Sequence, residues 1–316
     1  MMLRRNIKPL IDGGRELVRW ALLGGCLGLL LSAPAAQAAR SGSVVRHVRV
    51  NGVRLGYRTV GSGAPLIMIP GFAFTMAEWD PKLIHALAAH HRVVLFDNRG
   101  VATSTDSRNR LTIAEMANDT VGLVRALNLG RVDVLGWSMG GYIAQQLALR
   151  HPAMVRRLLL ASTGPGSIRA IQPSAIVINE LQHASQAQLV RLLFPRTGLS
   201  AARAWQMRIG EQAAQLHFTR IDFNVSPLIV SQQFLAAGPG WDSRGHGAYD
   251  RLPKLRIPTL IMAGVDDLIV PVGNARLLQQ RIRHSTLVRY RDAGHAFLFQ
   301  EPLVVSRRVN SFIAKG

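Results

Sequence analysis

The stretch that most restricts the fold is Gly136-Trp137-Ser138-Met139-Gly140-Gly141. It lies between an apolar run at 131–135 and a helix-like run at 142–150. A strand that turns straight into a helix leaves no room for side chains two residues either side of the turn, and Gly136 and Gly140 occupy those places. Such a turn holds a serine out at the sheet edge, at the positive end of the following helix. The spacing therefore predicts a strand–turn–helix unit with Ser138 as a nucleophile.

The surrounding pattern supplies the sheet that this unit needs. Residues 44–50 and 53–60 alternate apolar and polar side chains around Asn51-Gly52, which reads as an antiparallel hairpin. Then short continuous apolar runs begin, at 65–69, 92–96, 132–135 and 155–161, as buried parallel strands require. Helical stretches at about 81–90 and 112–127, and the one after Ser138, separate them. The alternation stops near Gly164-Pro165-Gly166 and returns at 258–263, followed by a helix at 274–282, a strand at 285–290 and a helix after Pro302. This order predicts an α/β fold with a mostly parallel, doubly wound sheet flanked by helices. Its core comprises 39–166 and 251–316, interrupted by a helical cap at 167–250 with breaks at Pro173, Pro195, Pro227 and Pro239. An insertion at that place covers the edge where parallel sheets bind ligands.

A serine hydroxyl is a weak nucleophile until a base takes its proton and a third group orients the base. Two loops after predicted strands offer these groups: 264–271, with Asp266 and Asp267, and 292–297, with His295. The order Ser, Asp, His along the chain is the one expected with a strand–elbow–helix nucleophile. Donors for a developing oxyanion are expected from the N–H of Met139 and from the loop Ile69-Pro70-Gly71-Phe72-Ala73, where the N–H of Phe72 can turn toward the site.

On these residues the chain resembles the α/β-hydrolase fold superfamily over about 44–316. It is most similar to the single-domain, helically capped esterases, lactonases, carbon–carbon bond hydrolases and haloperoxidase-like enzymes. The resemblance implies an eight-stranded, mostly parallel sheet. It also implies a triad of Ser138, Asp267 and His295, with Phe72 and Met139 at the oxyanion positions. Asp267 is placed by the Gly264-x-x-Asp267-x-x-x-Pro271 frame, leaving Asp266 as a loop residue or cap. Asp97-Asn98-Arg99-Gly100 resembles a structural turn of the family. Two positions depart from the pattern: Pro70 replaces a common histidine, and Ala102 replaces a glycine. Trp79, Trp137 and Phe297 are candidates either for the pocket or for the core.

No metal or organic cofactor is implied; the glycines at 61–63 fall in a turn between strands rather than in a nucleotide-binding loop. A serine at the elbow argues against dehalogenase and epoxide-hydrolase chemistry, which in relatives uses aspartate there. The expected activity is hydrolysis of carboxylic esters or lactones of small, apolar acyl compounds. Carbon–carbon bond hydrolysis, perhydrolysis and acyl transfer use the same triad and stay open, as does a noncatalytic cationic envelope-binding role.

The N-terminus carries an address. Arg4, Arg5, Lys8, Arg15 and Arg19 precede an apolar run at 20–31 and the cleavage-site pattern Ala36-Gln37-Ala38. Residues 1–38 thus read as a secretory signal peptide, and the protein as periplasmic or secreted; the alternative is an N-terminal membrane anchor. Cys26, the single cysteine, would leave with the signal, so a mature chain has neither a disulfide nor a cysteine metal site. The net charge of +20 comes chiefly from arginines scattered along the chain. That distribution speaks against a specific nucleic-acid site and leaves weak association with anionic surfaces open. A monomer or small homo-oligomer is expected.

Overall fold

The computed structural model describes residues 45–106, 111–183, 186–194, 198–238, 241 and 247–315. The expected signal segment, Pro195 and Pro239 lie outside them.

An eight-stranded sheet runs in the order β1-β2-β4-β3-β5-β6-β7-β8. Its first members are the hairpin strands β1 (Arg46–Val50) and β2 (Val53–Val60), joined through Asn51 and Gly52, both at positive φ. This two-residue turn matches the right-handed twist of the strands it connects. β2 pairs antiparallel with β4 (Arg92–Phe96). From there β3 (Pro65–Ile69), β5 (Val132–Trp137), β6 (Val155–Ala161), β7 (Thr259–Gly264) and β8 (Ser285–Tyr290) are all parallel. Every residue of β5 and of β7 is buried, which is why these strands are read as unbroken apolar runs rather than alternations.

Helices cover both faces. On one side α2 (Ile113–Ala126), α3 (Met139–Arg150) and α8 (Gly273–Arg281) pack side chains such as Met116, Leu123, Ile143, Leu147 and Leu278 against Ile67, Val134 and Leu160. On the other, α1 (Pro81–Ala88), the short α9 (Phe297–Gln300) and α10 (Pro302–Ala314) bury Leu83, Leu87, Phe299, Val305 and Val309 against Met68, Leu95 and Leu159. Asp80 caps α1 by accepting from the N–H groups of Lys82 and Leu83, with Pro81 at the first helical position.

Between β6 and β7 the chain runs through α4 (Ala175–His183), α5 (Gln186–Leu193), α6 (Gly198–Leu216) and α7 (Pro227–Ala237). Pro227 starts α7 rather than breaking a helix, because the first helical position needs no N–H donor. Among the described residues of this segment, the one strand-like contact is an antiparallel bridge between Val225 and Val101. α6 is tied to the sheet domain by Arg208, which donates to Asp80 from Nε at 2.8 Å and to the carbonyl of Phe299 at 3.2 Å. Trp205 adds a bond from Nε1 to the carbonyl of Glu78.

Candidate active site

Ser138 sits between β5 and α3 with φ +56° and ψ −121°, a left-handed conformation that costs an L-residue energy and must be held by its surroundings. The restraints are visible. Its N–H donates to the carbonyl of Ala161 at 2.9 Å, and its carbonyl accepts from Gly141 N–H at 2.8 Å and from Thr163 Oγ1 at 2.9 Å. The flanking glycines are required by space: a Cβ on Gly136 would lie 2.2 Å from the carbonyl oxygen of Gly140, and one on Gly140 would lie 2.1 Å from that of Ile69.

His295 reaches this turn from the loop after β8. Its Nε2 lies 3.0 Å from Ser138 Oγ, and its Nδ1 lies 3.0 and 2.9 Å from the two carboxylate oxygens of Asp267. Asp267 comes from the loop after β7, where its Oδ1 also accepts from the N–H groups of Ile269 and Val270 at 3.0 and 2.8 Å. His295 and Asp267 are both buried, while Ser138 keeps partial exposure. Asp266, by contrast, turns its N–H to the carbonyl of Ala293 and serves the loop rather than the histidine. The two loops can approach because β7 ends in Gly264, where a Cβ would meet the carbonyls of Gly294 and Ala293 at 2.2 and 2.3 Å.

Met139 is the first residue of α3 and is buried, so its N–H belongs to the helix terminus beside Ser138. The loop carrying Phe72 lies against the same turn, since a Cβ on Gly71 would come within 3.3 Å of Ser138 Cβ. Met139 and the loop that carries Phe72 thus both adjoin the serine. Pro70 directly follows β3. Ala102 stands in the left-handed region at φ +42° and donates its N–H to the carbonyl of Asn224.

Asp97 is a turn residue, accepting from Met76 N–H at 2.7 Å, from Thr103 N–H at 3.1 Å and from Thr103 Oγ1 at 2.5 Å. Burial pushes its carboxyl up to about 6 despite those donors. Arg99 of the same turn makes a two-point bond to Asp119 on α2 at 2.5 and 2.7 Å. Trp79, Trp137 and Phe297 are buried in the core. Trp137 has a further part to play, since its Nε1 donates to the carbonyl of His295 at 3.1 Å. Neither this contact nor that of Thr163 carries a sequence signal, because both span many residues and depend on the fold.

The profile of the alpha/beta hydrolase fold matches residues 64–244 and 242–302. The chain belongs to that family. Among its relatives is a protein of Azorhizobium caulinodans that bears the provisional name carbamate hydrolase RutD, 28% identical over 81% of this chain and 93% of its own length. Another, the poly(3-hydroxyalkanoate) depolymerase of Ectopseudomonas oleovorans, is 28% identical over 79% of this chain and 84% of its own. Among solved structures, Est816, described as an N-acyl homoserine lactone degrading enzyme, superposes with a TM-score of 0.68 at 26% identity, covering 84% of this chain and all of its own.

Proposed function

We propose that the protein is an exported serine hydrolase that cleaves carboxylic esters or lactones through an acyl-enzyme. The observation that carries this reading is the relay in which one imidazole bonds Ser138 Oγ through Nε2 and the Asp267 carboxylate through Nδ1. In the first half-reaction His295 takes the proton of Ser138 as Oγ attacks the acyl carbonyl. The N–H groups of Phe72 and Met139 hold the oxyanion, and Asp267 stabilises the imidazolium. His295 then protonates the leaving alkoxide. Water, deprotonated by the same imidazole, attacks the acyl-enzyme and frees the acid.

An apolar acyl group suits the apolar surroundings of the oxyanion loop. Val101, Val225, Ile229 and Val230 form a buried cluster against Phe72, Ala73 and Ala102, beside the oxyanion loop. The depolymerase and lactone-degrading names borne by two relatives agree with ester chemistry. Export follows from the N-terminal reading of residues 1–38.

The test is hydrolysis of short and medium p-nitrophenyl esters and of lactones by wild type and by Ser138→Ala. The variant should lose more than about 10⁴-fold in kcat. Equal hydrolysis by the two proteins would refute the assignment. Acid release without an added acceptor separates hydrolysis from acyl transfer and perhydrolysis.

A further inference from the structure

The helix α7 carries a polar side chain where its packing calls for an apolar one. Gln233 shares a helix face with Ile229, Val230 and Ala236, and it is fully buried. Its Oε1 accepts from the N–H of Ala73 at 2.7 Å, while its Nε2 has no partner among the described residues. A buried amide with one end unsatisfied is costly, so the end that is satisfied has to matter to the fold or to the site. The orientation of the amide follows from chemistry, because only the oxygen can accept from an N–H.

Ala73 is the residue after Phe72, and it stands at φ +49°, in the left-handed region that an alanine enters reluctantly. The peptide between the two residues is therefore held in an orientation that Ala73 does not prefer by itself. The neighbouring side chain of α7, Phe234, meets the Phe72 ring edge-on with centroids 6.5 Å apart. α7 thus holds the loop at two successive residues, once by a hydrogen bond and once by a ring.

We infer that Gln233 is a positioning residue: its carbonyl oxygen locks the Phe72–Ala73 peptide in the turn that aims the Phe72 N–H at the oxyanion. The inference rests on the Ser138 reading above and adds that the inserted helices complete the oxyanion hole. A helical insertion that merely roofed the pocket would not need a buried hydrogen bond to the loop below it. On this account the loop reaches its working geometry only with α7 docked.

Gln233→Met keeps the length and bulk of the side chain but removes the acceptor; Gln233→Glu keeps an acceptor. With Gln233→Met, kcat on a p-nitrophenyl ester should fall about 10-fold or more while KM stays within about two-fold, because the lost interaction acts in the transition state. A boronic acid that mimics the tetrahedral adduct should weaken in parallel with kcat. Amide exchange at Ala73, read by mass spectrometry, should accelerate in Gln233→Met and stay slow in Gln233→Glu. Unchanged kcat and boronate affinity in a folded Gln233→Met protein, or Ala73 exchange as slow as in wild type, would overturn the positioning role and leave the triad reading intact. A wild type that cleaves no ester and takes no fluorophosphonate label would overturn the Ser138 reading and the catalytic consequence of Gln233 with it.

Discussion

At the scale of single residues, the site depends on a few positions where one atom more or less decides the geometry. Gly140→Ala would drive a methyl into the carbonyl of Ile69, and backbone cannot yield there as a flexible side chain could. The expected result is loss of soluble protein or a fall of about 3 kcal/mol in unfolding free energy, measured by urea titration. Asp267→Asn acts differently. It preserves size but offers Nδ1 of His295 an amide in place of a carboxylate, so the imidazolium formed during catalysis loses its counter-charge. A drop of about 10³- to 10⁴-fold in kcat with little change in thermal midpoint is expected from steady-state kinetics and calorimetry. Ser138, Asp267 and His295 were legible because each lies in a short motif at a strand end, with glycine or proline beside it. Gln233 was not, since it sits in an apolar helix and its partner is 160 residues away in sequence. Trp137 likewise reads as an ordinary core aromatic until the fold brings the carbonyl of His295 to its indole nitrogen.

At the scale of elements, strands were easier to read than the helices of the insertion. The bounds of β3, β4 and β6 coincide with the apolar runs, because a buried parallel strand is largely apolar and ends abruptly at a turn residue, and those of β2 and β8 coincide with the strands expected at 53–60 and 285–290. α4 to α7 lie where 167–250 promised helices, yet their packing faces are mixed. Ile176 and Leu228 are 72% and 61% exposed, while Val177 and Ile229 beside them are buried. Apolar character alone could not separate the two kinds. What attaches these helices is partly polar. Arg208 on α6 meets Asp80, the fully buried cap of α1. Arg208→Met would leave that carboxylate buried without its cation, at a cost of about 3 kcal/mol. Limited proteolysis should then cut within 198–216 faster than in wild type; equal rates would show that apolar packing alone holds α6.

For the whole molecule, buried acids beneath the insertion tie stability to pH. Asp97 has its carboxyl raised from 3.8 to about 6 by burial, so between those values the folded protein binds more protons than the unfolded chain. Its contribution is therefore fully present below about pH 4 and is lost as pH rises through about 6. Asp97→Asn, which cannot titrate, should show a shallower fall of unfolding free energy between pH 4 and pH 7 than wild type. Parallel curves would contradict the assignment. The sheet order, the insertion and the alternation of strands with helices agree with the family to which the chain belongs, and they bring loops from the ends of β3, β5, β7 and β8 to one edge of the sheet. What this architecture does not specify is the substrate. The inserted helices do reach the site: the carbonyl of Leu193 on α5 accepts from the N–H of Ala296, next to His295.

The proposed function turns on Ser138 as the nucleophile. The most direct measurement is the intact mass of wild type and of Ser138→Ala after reaction with a fluorophosphonate, followed by peptide mapping. The expected result is one phosphonyl adduct per wild-type chain, carried on the peptide containing Ser138, and none on the variant. An unmodified wild type, or an adduct on another residue that persists in Ser138→Ala, would contradict it.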